Sequence, residues 1–67
     1  MSLNAKRLKA RLLLNGMTQR DLANATGISY NMISLICRGA SCSDETAEKI
    51  AVALGITPEQ LTQQVRI

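Results

Sequence analysis

Tyr30, Asn31, Ser34 and Leu35 recur at helical spacing, with Ser29 before them and Arg38 after. Asn31 carries an amide that donates and accepts at once, the pairing that adenine offers in a major groove. Leu35 offers an apolar end of the kind that packs on a thymine methyl. None of the six is acidic, so a polyanion would not be repelled by them. The same chain lacks the parts of an enzyme. It has no histidine, no general base placed to activate serine or cysteine, and no glycine-rich phosphate loop. Two cysteines, Cys37 and Cys42, cannot complete a four-ligand zinc site without histidine. Asp44, Glu45 and Glu48 crowd one exposed turn and read as first-turn acids that favour a helix dipole. No metal, cofactor or small-molecule ligand is expected.

The elements that must hold these residues are set by glycine and by capping residues. Gly16, Gly27, Gly39 and Gly55 each follow an apolar-periodic stretch, where a helix ends in a left-handed residue. Asn4, Thr18, Ser29, Ser43 and Thr57 can cap the helices that follow. An apolar residue precedes each cap and finds an apolar partner on the fourth helical residue. The pairs are Leu3 with Leu8, Met17 with Leu22, Ile28 with Ile33, Cys42 with Ala47, and Ile56 with Leu61. Thr18 with Asp21 and Thr57 with Gln60 form capping boxes, and Pro58 falls at N1. The spacing therefore predicts helices near 5–14, 19–25, 30–38, 44–54 and 58–64. No linker, repeat or period-two strand pattern interrupts them, so residues 1–67 read as one all-α domain.

Periodicity gives the core. Ala5, Leu8 and Leu12 share a face of the first helix; Leu22, Ala23, Ile33 and Ile36 follow. Ile50, Ala51, Leu54, Ile56 and Leu61 complete it. Leu12, Leu13 and Leu14 span too wide an arc for all three to be buried. Cys37 reads as a small core hydrophobe, and Cys42, beside a cap, as partly exposed.

A helix of two turns that begins after Thr18, ends at Gly27 and is followed at once by another cannot pack antiparallel to its successor. The two must cross steeply, as in a helix-turn-helix unit. Ala23 lets them approach. Ile33 and Ile36 turn inward, which turns Tyr30, Asn31, Ser34 and Leu35 outward. Such a helix can enter a major groove. Backbone N–H groups from Thr18 to Asp21 can hold a phosphate at the N-terminus of its predecessor. Charge agrees. Residues 1–38 carry a net +5 and residues 39–67 a net −2, which points to an anionic partner. The helix 1 cations Lys6, Arg7, Lys9 and Arg11 point in several directions, so at most two of them can face one partner.

The stretch MTQRDLANATGISYNMISLICRG resembles the phage repressor and Cro helix-turn-helix family, also called the XRE family. The resemblance rests on Thr18-Gln19, Leu22-Ala23, Gly27-Ile28-Ser29 and Ile33-Ser34. Downstream, Ser43, Thr46, Lys49-Ile50-Ala51, Ala53-Leu54 and Leu61 match its fourth and fifth helices. The resemblance implies a five-helix, lambda-repressor-like fold in a sequence-specific DNA-binding regulator of transcription, of repressor type. It implies that Tyr30, Asn31, Ser34 and Leu35 meet base edges. Phosphates would be met by Thr18, Gln19, Arg20, Ser29, Arg38, Ser41 and Ser43, with Gln19 also bracing the recognition helix. The implied partner is double-stranded DNA, bound by a homodimer on an inverted repeat, with Val65 and Ile67 or a spare helix 1 leucine at the dimer contact. The expected setting is cytoplasmic, with no membrane partner. The alternative is a protein-binding helical module, such as an antitoxin or an accessory subunit of a recombination complex.

Two departures from the family pattern stand out. A buried arginine late in the first helix often pairs there with a glutamate late in the third. Here those positions hold Leu12 and Cys37, so both charges are absent together. Losing one alone would strand a buried charge. The loop from Gly39 to Ser43 also has no lysine or arginine.

Overall fold

The first four helices each begin where a short polar side chain takes over a backbone N–H that the helix itself leaves unpaired. The computed structural model describes residues 3–62. Its helices are α1 (Ala5–Leu14), α2 (Gln19–Thr26), α3 (Tyr30–Ile36), α4 (Asp44–Leu54) and α5 (Pro58–Thr62). Asn4 accepts from the Arg7 N–H at 3.1 Å, Ser29 from Met32 at 3.2 Å, and Ser43 from Thr46 at 3.1 Å. Thr18 and Asp21 close a reciprocal box, both bonds 3.0 Å long. At α5 only half a box forms, with the Gln60 side chain accepting from the Thr57 N–H at 3.1 Å. Caps of this kind are each worth about 1 kcal/mol.

The ends differ from the expected pattern at α2, which runs one residue further to Thr26, and at α3. α3 stops at Ile36, two residues before the predicted 38. Residues 37–39 form a turn instead, with Gly39 at φ +105°. The Gly39 N–H donates to the Ile36 carbonyl and that of Ala40 to Leu35, so the chain folds back over its last helical turn. Arg38 therefore sits on the turn rather than on the helix. The last two residues expected of α5, and the proposed dimer residues Val65 and Ile67, lie outside the described residues.

The core is aliphatic, and among the described residues no buried side chain is polar. All ten residues of the five apolar pairs belong to it or pack against it. Cys42 is buried, contrary to the expected partial exposure, because it seats with Ala47 beneath the start of α4. Ala5 and Ile56 are half-buried rather than central. Leu12 and Cys37 are both buried in this one cluster. Of the three successive leucines only Leu12 is inside; Leu13 and Leu14 are 82% and 75% exposed.

α2 packs on α3 and α4, and α5 packs on α4 and α1. Two polar links fasten α1 to the last helices. The Asn4 N–H donates to the Leu61 carbonyl at 2.8 Å. The Asn15 amide donates to the Leu54 carbonyl, the last of α4, at 3.1 Å. The α2–α3 unit is thus one side of the bundle, with Ile33 and Ile36 of α3 in its core.

Candidate nucleic-acid interface

The turn between α2 and α3 is built from three residues. Thr26 donates its hydroxyl to the Leu22 carbonyl at 2.8 Å and accepts from the Ile28 N–H at 3.2 Å. Gly27 takes φ +76° and donates its N–H to the Ala23 carbonyl at 2.9 Å. Ile28 is half-buried against the core, which pins the chain before Ser29 caps α3. This turn is the local joint by which α2 passes directly into α3.

α3 then divides as its sequence requires. Ile33 and Ile36 are wholly buried, and Met32 packs half-buried beside them. On the opposite side Ser29, Tyr30, Asn31 and Leu35 are exposed, and Ser34 is half-exposed. Tyr30 is 46% and Leu35 42% exposed, large apolar surfaces held in the open by a rigid helix. The four expected base-reading residues therefore share one outward face, with Arg38 exposed just beyond it.

The start of α2 adjoins that face. Thr18, Gln19, Arg20 and Tyr30 line one cleft between the two helix starts. The capping box changes what this helix start can do. The Thr18 N–H is taken by the Asp21 carboxylate and the Asp21 N–H by the Thr18 hydroxyl oxygen. Only the Gln19 and Arg20 N–H groups are left without a bond among the described residues, not the four expected from Thr18 to Asp21. The Thr18 hydroxyl still has its own proton to donate, as does that of Ser29. Ser43 does not: its hydroxyl donates to the Thr46 hydroxyl at 2.9 Å and accepts from the Thr46 N–H. Ser41 is exposed on the loop.

Two cations bear on the cleft. Lys9 lines a neighbouring hollow together with Leu12, Leu13, Met17, Thr18 and Gln19. Arg7 and Arg11 face elsewhere, along a groove between α1 and α5. The helix 1 cluster is thus split, and Lys9 is the member beside α2. The second cation is Arg20, whose guanidinium carbon stands 4.7 Å from the centre of the Tyr30 ring. This stack was not legible in the sequence, because residues 20 and 30 lie on different helices and no single-helix spacing joins them.

The cysteines lie behind the interface rather than in it. Burial pushes both thiols up from their ordinary value of 9.0, with a nearby Lys9 charge acting against it at Cys37. They are held as neutral core groups. Among the described residues no cluster of His, Cys, Asp or Glu is placed to hold a metal ion, and no helix is long and apolar enough to cross a membrane.

Comparison with known proteins places this geometry. A family model described as helix-turn-helix matches residues 8–61. The HTH-type transcriptional regulator PrtR of Pseudomonas aeruginosa is 37% identical over 54 residues. That alignment takes in 81% of this chain but 21% of PrtR, so the chain spans about a fifth of the length of this curated relative. Among solved structures, that of Streptomyces albus HEPD with 2-hydroxyethylphosphonate and Fe(II) bound superposes with a TM-score of 0.77 at 21% identity. It covers 84% of this chain and 13% of the HEPD chain, a likeness of fold alone.

Proposed function

Because the chain belongs to the XRE-type helix-turn-helix family, we propose that it is a sequence-specific DNA-binding regulator of transcription, of the phage repressor and Cro type. α3 enters the major groove. Tyr30 and Asn31 meet base edges first, and Ser34 and Leu35 follow one turn along. Thr18, Gln19, Arg20, Ser29, Arg38, Ser41 and Ser43 flank them toward the phosphates, with Ser43 the weakest donor because its proton is already committed to Thr46.

One observation carries this reading. A seven-residue helix buries Ile33 and Ile36 completely and turns Tyr30, Asn31 and Leu35 to solvent with no acidic group among them. The same division would give an ordinary surface helix if its neighbours did not also present cations. Here Arg20, Arg38 and Lys9 border the face.

A single module of this size buries about 600–1,000 Å² on DNA, a modest footprint. We propose that two copies bind an inverted repeat with half-sites roughly 34 Å apart. The exposed Leu13 and Leu14 offer apolar surface for such a pairing. The test is selection of bound duplexes from a random pool at two salt concentrations. Salt-sensitive binding that converges on a motif is the expected result. Binding that is absent or converges on nothing, with a stoichiometric protein partner in its place, would favour the protein-binding module.

A further inference from the structure

We propose that Arg20 is a positioning residue for base recognition: it stacks on Tyr30 and fixes where that ring enters the groove. The proposal rests on the DNA-reading function assigned above to α3. It goes beyond it by giving Arg20 a second role besides phosphate attraction.

The geometry is specific to this pair of residues. Arg20 is the second residue of α2 and Tyr30 the first of α3, so each is anchored by a capped helix start. The guanidinium carbon lies 4.7 Å from the ring centre, inside the roughly 6 Å reach of a cation–π contact. One face of the ring is covered, while 46% of the residue remains open to solvent. An exposed tyrosine on a helix can ordinarily sample several χ1 wells. With the guanidinium plate on one side, one well is favoured. The rigid fork of arginine suits this stack, whereas lysine offers a compact charge with no plane. A stacked guanidinium also keeps its edge N–H groups available. Arg20 can therefore donate to a phosphate while its face holds the ring, and the two helices are read as one surface across the turn.

The chain offers an unusually clean measurement. Tyr30 is its sole aromatic residue, so every ring-current shift in its proton NMR spectrum originates there. The side-chain methylene protons of Arg20 should lie upfield of their ordinary positions in the free protein and return to them in Tyr30→Leu. Arg20 protons at ordinary positions in the unaltered protein would overturn the stack, whatever the DNA results.

The second arm reads sequence preference. Bound motifs are selected with the unaltered chain, Arg20→Ala, Arg20→Lys, Tyr30→Ala and the double Arg20→Ala, Tyr30→Ala variant. Arg20→Ala should relax preference at the base position that Tyr30→Ala relaxes, by roughly two- to five-fold. The double variant should be no more relaxed there than Tyr30→Ala alone. Arg20→Lys should recover affinity at low salt without recovering the preference. A uniform loss of affinity across all sequences in Arg20→Ala, or a relaxed preference that Arg20→Lys restores in full, would make Arg20 a plain charge contact and overturn the proposal. If the unaltered chain selects no motif, the positioning role falls with the function it serves. An upfield Arg20 signal in that case shows that the DNA-reading function failed and the stack did not.

Discussion

Replacing Gly27 with alanine tests the turn that sets the two helices against each other. Its φ of +76° lies in the left-handed region, and a methyl group added there meets no heavy atom within 4 Å. Steric clash therefore contributes nothing, and the cost is that of the backbone alone. Forcing an L-residue into this region costs about 1–2 kcal/mol. Alanine also restricts the unfolded chain, which offsets about 0.4–1 kcal/mol. The net loss is about 1 kcal/mol. A domain of this length has roughly 3–10 kcal/mol in total, so the variant should stay folded, with a melting temperature lowered by roughly 4–8 °C. Helical circular dichroism during heating and urea titration measures it. Gly55 provides the control, since its φ of +74° is almost the same and its surroundings are equally open. Gly55→Ala should cost the same amount at a site remote from α3. A neutral Gly27→Ala would show that the turn is not left-handed, and a loss above about 3 kcal/mol would show that the space beside it is filled. Either result refutes the reasoning.

Other expectations are simpler to state. Leu12→Arg alone should cost roughly 3–5 kcal/mol by burying an unpaired charge, and Cys37→Glu added to it should recover part of that loss in a double-mutant cycle; plain additivity would mean the two sites do not face each other. Asn31→Ala should relax base preference at one position by about 1–3 kcal/mol, read from selected motifs. The basic arm of the pH profile follows from the thiols, whose folded values are raised by burial. Below their ordinary value both states keep the proton; above it only the unfolded thiols ionise, so stability should fall as pH rises through that range, and Cys37→Ala should flatten the fall. Ala40→Lys puts a cation into a loop that has none, and it should steepen the salt dependence of DNA binding by about 0.9 in log–log slope if the loop follows the backbone.

The helix boundaries were legible because their causes are local. A cap and an apolar pair within five residues decide a start, and Asn4, Thr18, Ser29 and Ser43 all cap as their sequence contexts require. The apolar pairs also predicted the burial of Cys42 better than its position beside a cap did. The early end of α3 was harder to read, since Cys37 and Arg38 can both continue a helix and only the fold-back of Gly39 and Ala40 shows that they do not. Contacts between distant residues left no trace in the spacing. Asn15 reaches Leu54 across 39 positions, and the Arg20–Tyr30 stack depends on how two helices cross. At the candidate interface the outward face of α3 could be read from Ile33 and Ile36. The loss of two N–H donors to the capping box could not, because a residue pattern shows that a box can form but not what it withdraws from a ligand.

The two links that tie α1 to the far end of the chain have a consequence for biosynthesis. Leu61 and Leu54 receive hydrogen bonds from Asn4 and Asn15, so the first helix has no settled place until nearly the whole sequence has been made. A nascent chain that has not yet presented Leu54 and Leu61 offers the first helix neither anchor, and should be readily cut by protease where the longer chain resists.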